Sequence, residues 1–116
     1  MEYNSDFRYD LKIGQVAEES LANFFNNSKI EVKRDLQANK TGNIFVEYES
    51  RGKPSGISTS EAEWYCYFLS DNQFVIISSE LLKSKCRKFL KTKRDIRGGD
   101  SNTSKGILLP LDELIR

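Results

Sequence analysis

Two stretches decide how this chain is read: Lys29-Ile30-Glu31-Val32-Lys33-Arg34-Asp35 and Ile44-Phe45-Val46-Glu47-Tyr48-Glu49, separated by the turn-prone run Asn39-Lys40-Thr41-Gly42-Asn43. In the first, Ile30 and Val32 alternate with Glu31, Lys33 and Asp35, the period-two pattern of a half-buried strand. The second is rich in β-forming residues and reads as a second strand. Side chains two apart on a strand project to one face, so Glu47 and Glu49 are expected to point together. Asp35, at the end of the neighbouring strand, reaches the same face if the two strands pair.

Upstream, Leu11, Ile13, Val16, Ala17, Leu21, Phe24 and Phe25 recur at helical spacing. This predicts an amphipathic helix from about Ile13 to Phe25, packed by its Leu21–Phe24–Phe25 side. Downstream, Arg51 to Ser60 holds Gly52, Pro54 and Gly56 and reads as a loop. Thr59 or Ser60 can cap a short helix over Glu61 to Tyr65. Tyr65 to Leu69 and Gln73 to Ile77 form two strands around Ser70-Asp71-Asn72, and Ser79 caps a helix running from Glu80 to about Lys91. Arg97 to Lys105 reads as a polar loop, Gly106 to Leu111 as an edge strand that tolerates Pro110, and Asp112 to Arg116 as one helical turn. The predicted class is a single α+β (mixed α/β) domain spanning residues 1–116, with one central mixed sheet flanked by helices.

The composition narrows the chemistry. At 116 residues the chain is one domain by size, and 38% hydrophobic with 30% charged residues suits a soluble globular protein. No stretch approaches the roughly 18–20 apolar residues of a membrane span. Residues 1–10 lack the basic and apolar regions of a signal peptide. A cytoplasmic protein with no membrane partner is therefore expected, with Cys66 and Cys86 as buried thiols. The chain contains no histidine. That removes His-dependent triads, most zinc sites and His-metal nucleases, and leaves carboxylates, lysines, hydroxyls or a metal held by oxygen.

The net charge is only +1, but its distribution is uneven. Lys83, Lys85, Arg87, Lys88, Lys91, Lys93, Arg94 and Arg97 crowd one segment against the single acid Asp95, whereas Glu18, Glu19, Asp35, Glu47 and Glu49 lie in the first half. Such separation lets one region hold a cation while another attracts a polyanion. Metal-assisted phosphodiester hydrolysis needs two or three rigid oxygen ligands facing a gap for phosphate. Asp35, Glu47, Glu49 and the Tyr48 carbonyl are candidates for that set, and Glu18, at the border of the first helix's packed face, is a fourth carboxylate. Converging carboxylates repel one another unless a cation sits among them. The same spacing equally suits a solvated sheet face on which Glu31, Glu47 and Glu49 are simply exposed. Spacing alone leaves both readings open.

The run from Gly14 to Tyr67 resembles the catalytic core of the PD-(D/E)xK nuclease superfamily. The residues that carry the resemblance are Gly14-x-x-x-Glu18, Asp35 after a strand, and Glu47-Tyr48-Glu49 on the next strand. Gly52-Lys53-Pro54-Ser55-Gly56-Ile57 and Thr59 to Tyr65 look like the loop and short helix that follow in small phage and resolvase-like members. The resemblance implies a restriction-endonuclease-like core and Mg²⁺ (or Mn²⁺) held by Asp35 and Glu47, with Glu18 assisting. Most members carry lysine where this chain has Glu49, and a Glu-x-Glu variant occurs in some restriction endonucleases of the superfamily. Either Glu49 acts as general base or second-metal ligand, or Lys53 supplies the missing positive charge to the phosphate.

The expectation that follows is a metal-dependent deoxyribonuclease acting as a homodimer, with branched or phage-replication DNA as a natural substrate, in a host cytoplasm if phage-encoded. Lys83, Lys85, Arg87, Lys88 and Lys91 are the candidate phosphate contacts. The alternatives are a non-catalytic nucleic-acid-binding module using residues 80–97, and a structural subunit whose acids bind Ca²⁺ only.

Overall fold

The computed structural model describes residues 3–116, with side chains from Gly14 onwards apart from Asp100. Helix α1 (Tyr3–Asn27) leads into strand β1 (Ile30–Arg34), a single helical turn α2 (Ala38–Thr41) and strand β2 (Asn43–Ser50). Next come the two-residue strand β3 (Lys53–Pro54), a 3-10 turn at Gly56–Ser58, and strands β4 (Trp64–Ser70) and β5 (Gln73–Ser78). Helix α3 (Ser79–Arg87), strands β6 (Asp95–Gly98) and β7 (Ser104–Pro110), and helical turn α4 (Leu111–Leu114) complete the chain.

The α+β class holds, and the strands divide between two sheets where one central sheet was expected: β1-β4-β5, and β3-β2-β7-β6. β1 runs parallel to β4, and all other pairings are antiparallel. Asp35 joins the sheets. Its amide donates to the Phe68 carbonyl on β4 at 2.9 Å, and its Oδ2 accepts the Phe45 amide of β2 at 3.0 Å. The core fills the space between the sheets and α3. Ile44 and Val46 of β2, Ile107 and Leu109 of β7, and Leu82 of α3 are almost wholly removed from water, each gaining about 1.5–3 kcal/mol from burial.

Several boundaries differ from expectation for identifiable reasons. No helix forms over residues 61–65. Ser60 Oγ accepts the Ala62 amide at 3.1 Å and so closes a turn, and β4 begins at Trp64 against β1. The α3 cap is Ser78, whose Oγ accepts from Leu81 N at 3.1 Å, rather than Ser79, whose hydroxyl donates to the Ala62 carbonyl at 2.6 Å. The helix ends at Arg87, four residues short of Lys91. The supposed loop from Arg97 contains the end of β6. β7 is accordingly an inner strand between β2 and β6, with Pro110 at its last rung where its missing N–H costs little.

The largest difference lies in α1. It is far longer than the 13-residue helix expected, and from Gly14 to Phe25 every side chain is exposed except Phe24, which meets Trp64 edge-on at 4.8 Å. Leu21 and Phe25, expected to be packed, are 55% and 50% exposed. The side chains of Leu11 and Ile13 lie outside the described ones. Cys66 and Cys86 are free and buried, as anticipated. Among the described residues no helix is long and apolar enough to cross a membrane.

Candidate functional site

The sheet junction creates the site. Alternation along β1 sends Glu31, Lys33 and Asp35 to one side, and on β4 their neighbours in register are Tyr65 and Tyr67. β2 contributes Phe45 and Glu47 from its odd-numbered side. A cleft of about 290 Å³ opens where these meet, and both Asp35 and Glu47 line it, together with Lys33, Arg34, Gly56 and Tyr67. A second depression of about 560 Å³ adjoins it, sharing Lys33, Glu47, Gly56 and Tyr65 and adding Glu31 and Glu61.

Each of the two central carboxylates is held by one hydrogen bond. Asp35 Oδ2 accepts the Phe45 amide, and Glu47 Oε2 accepts the Ser55 hydroxyl at 3.0 Å. Asp35 Oδ1 and Glu47 Oε1 have no hydrogen-bond partner among the described residues. The backbone of Glu47 is fixed from below by Gly56, which has φ +53°; a Cβ there would stand 2.2 Å from the Glu47 carbonyl oxygen, so only glycine permits this approach. Tyr67 lies buried beneath the cleft. Its phenol is pushed well above its ordinary pKa, chiefly by burial and then by the negative charge of neighbours that include Asp35 and Glu31. It stays protonated there, a neutral group under two acids.

Glu49 takes a different path. Between Glu47 and Glu49 the register against β7 slips, so that Glu47 faces Gly106 and Glu49 faces Lys105. Two steps on β2 thus match one on β7, and this bulge interrupts the alternation that was expected to aim both glutamates together. Glu49 lines neither depression. The Tyr48 carbonyl, a candidate ligand on sequence grounds, accepts two hydrogen bonds, from Ser55 N at 3.1 Å and Ser58 Oγ at 2.8 Å. The Tyr48 side chain points to the opposite side of β2, where its hydroxyl donates to Asp95 Oδ1 at 2.6 Å. Lys53 is exposed on β3 and Glu18 is exposed on α1; neither lines the cleft. Among the described residues, no three acidic or thiol side chains converge into a three-ligand metal site.

Sequence reasoning put Lys33 and Glu31 on the same face as Asp35 but gave neither a place in the site. Lys33 lines both depressions, and its Nζ pairs with Glu31 Oε1 at 3.2 Å. The signal was available: Lys33 stands two residues before Asp35 on a strand and so shares its face.

The basic segment lies elsewhere. Lys83 and Arg87, with Tyr48, Ile57, Cys86 and Leu90, line a separate, more apolar cavity of about 310 Å³. Burial pushes the Cys86 thiol up to about 12, so it is no nucleophile near neutral pH. Lys85 donates to the Arg116 carbonyl at 3.2 Å. Lys88 pairs with Glu113 at 2.6 Å, and that hydrogen bond is the main reason the Glu113 carboxyl titrates below its usual range. Arg87, Lys91 and Lys93 are exposed. Comparison with protein-family models, with curated proteins and with solved structures finds no match for this chain.

Proposed function

We propose that the protein is a metal-dependent endonuclease that hydrolyses DNA phosphodiester bonds in the cleft between its two sheets. The observation that carries this reading is the meeting of Asp35 and Glu47, from different sheets, on one cleft, each held by a hydrogen bond to a single oxygen. The donor set suits Mg²⁺ (or Mn²⁺), which characteristically takes one or two carboxylates and completes its shell with waters and substrate phosphate. When bound, such an ion polarises the phosphoryl oxygens and lowers the pKa of water.

The chain's own residues then do the rest. Asp35 and Glu47 would hold the ion, each carboxylate kept in place by a hydrogen bond to its other oxygen, from the Phe45 amide and the Ser55 hydroxyl. Lys33, on the wall of the same cleft, offers its ammonium to the phosphate as negative charge builds up on it. Lys33 takes this role in place of Lys53 or Glu49 because it lines the cleft and they do not. Tyr67 keeps the floor uncharged. Water adds to phosphorus as the bond to the leaving sugar oxygen breaks, and that oxygen departs with a proton.

The test is cleavage of supercoiled plasmid, single-stranded DNA and a four-way junction with Mg²⁺, Mn²⁺ or EDTA. Asp35→Asn keeps an oxygen for the Phe45 amide while removing the charge, and is expected to slow metal-dependent cutting by about 100-fold or more. Lys33→Ala should also slow it strongly, and Lys53→Ala little. The exposed Arg87, Lys91 and Lys93 favour a second reading, a binding module that docks phosphates without cutting. DNA retained by the wild-type protein, with no cutting of any substrate under any metal, would establish that reading instead.

A further inference from the structure

A cavity of about 310 Å³ lies where α3 crosses β2 and β7, apart from the cleft of the proposed reaction. Its wall is apolar: Val46 and Ile107 from the two strands, Ile57 from the 3-10 turn and Cys86 from α3, each at most 6% exposed. Leu90 stands at its mouth and is 44% exposed, so apolar surface there remains in water. The two hydroxyls of the lining are already committed, Tyr48 to Asp95 at 2.6 Å and Ser58 to the Tyr48 carbonyl at 2.8 Å. What is left is a pair of cations, Lys83 and Arg87.

Those two differ from their neighbours. Of the four basic residues from Lys83 to Lys88, Lys85 donates to the Arg116 carbonyl and Lys88 pairs with Glu113. Lys83 and Arg87, the two that line the cavity, are the two whose side chains meet no carboxylate or other acceptor among the described residues. They stand four apart on α3 and so lie one above the other on one face, where like charges repel unless an anion sits between them. No acid lines the cavity: Asp95 and Glu49, which both act on the Tyr48 phenol, stay outside it. At about 30 Å³ per water-sized group the space takes about ten non-hydrogen atoms, near the lower end of the range for ligand pockets.

We infer that this cavity binds a small amphipathic anion, a carboxylate or phosphate monoester whose head sits between Lys83 and Arg87 and whose apolar body covers Leu90 and Ile57. Each half of the ligand answers one half of the site: the head neutralises two cations that have no internal partner, and the body takes the apolar wall out of water. A nucleic-acid backbone would meet the cations but bring only sugar and phosphate to Leu90, so it answers the charges alone. The inference does not depend on the proposed nuclease activity.

The test titrates the full isotope-labelled chain with octanoate, hexyl phosphate, octan-1-ol and inorganic phosphate, followed by the amide resonances. At least one of the two amphiphiles is expected to bind with one molecule per chain, moving the signals of Cys86, Leu90 and Ile107 most, and the tighter of the two identifies the head group. Octan-1-ol and inorganic phosphate each lack half of the ligand and should bind about tenfold more weakly or worse. Lys83→Met with Arg87→Met keeps the apolar stems and removes the charges. Neither side chain has a partner to lose, so the variant should stay folded by circular dichroism while its affinity falls by about tenfold or more. Failure of both amphiphiles to bind overturns the inference, as does an unchanged affinity in the double variant. Inorganic phosphate binding as tightly as hexyl phosphate overturns it in favour of a plain phosphate dock, and octan-1-ol binding as tightly as octanoate in favour of an uncharged apolar site. Shifts centred on Val32 and Phe74 would place the amphiphile on the outer face of the β1-β4-β5 sheet and overturn it too.

Discussion

The two sides of the β1-β4-β5 sheet are built from interleaved residues of the same three strands, yet they do opposite things. The odd-numbered residues of β1 and β4, Glu31, Lys33, Tyr65 and Tyr67, turn toward the second sheet and either line the cleft or join the core. The even-numbered residues, Val32, Cys66 and Phe68, turn away; Cys66 is buried between its neighbours, whereas Val32 and, beside them on β5, Phe74 stay largely in water. On the inner side the β1 ion pair stays about half in water, Glu31 at 45% and Lys33 at 48%, while Tyr65, Tyr67 and Ile77 beside it join the core; the outer side is apolar and partly open.

The sharpest way to break this comparison is a pair of neighbours on β5. Ile77 is 4% exposed among the core residues, whereas Ile76 is half-buried on the outer side. Ile77→Ala is expected to cost about 2–4 kcal/mol through a cavity that cannot collapse. Ile76→Ala should cost about 1 kcal/mol or less. Urea unfolding of both variants reads the difference. Equal costs would mean that the outer face is covered as well as the core side.

The next effect in size is at the seam between the cleft and β2. Gly56→Ala places a Cβ against the Glu47 carbonyl at a backbone angle that side chains rarely adopt. Overpacking together with left-handed strain should destabilise the protein by about 1–3 kcal/mol. It should also displace Glu47, so metal-dependent activity is expected to fall further than the loss of folded protein explains. Thermal melts and cutting rates measured on the same preparation check this, and an unchanged rate per folded molecule would detach Gly56 from the site.

How much of this was legible in the sequence depended on whether the deciding force was local. Alternation and β-propensity located β1, β2, β4 and β5 to within a residue or two, because period-two burial is written into each strand. The pair Asp35 and Glu47 was singled out by the resemblance; the strand pairing expected to bring them together does not form, and they meet instead across the junction of two sheets. The bulge at Tyr48 could not, since it depends on pairing with β7 some 60 residues later, and it is the bulge that separates Glu49 from Glu47. Lys33 was legible by the same rule that brought Glu47 and Glu49 together, applied to β1 instead. The apolar stripe of α1 was read correctly as a stripe, but periodicity says only that a face seeks cover and cannot say which surface supplies it.

The smallest effect extends the comparison to β2, whose sides also diverge: Glu47 faces the cleft while Tyr48, next in sequence, faces away and donates to Asp95. Burial above all, and then the hydrogen bond to Asp95, raises the Tyr48 phenol from 10.0 to about 12. The folded protein therefore holds this proton more tightly than the unfolded chain does. Its contribution to stability is complete below about pH 10 and is lost as pH rises through about 12, because over that window the native state binds more protons than the unfolded one. Tyr48→Phe should remove this part of the alkaline loss, so its stability declines less steeply than wild type's between pH 10 and 12, at a fixed cost near neutrality of about 1 kcal/mol for the lost hydrogen bond. Urea titrations at a series of pH values test the slope. Since Tyr48 points away from the cleft, cutting by Tyr48→Phe at neutral pH should match wild type. A selective loss of activity there would mean that the two sides of β2 are coupled through the bulge, and the division of labour between neighbouring residues would have to be redrawn.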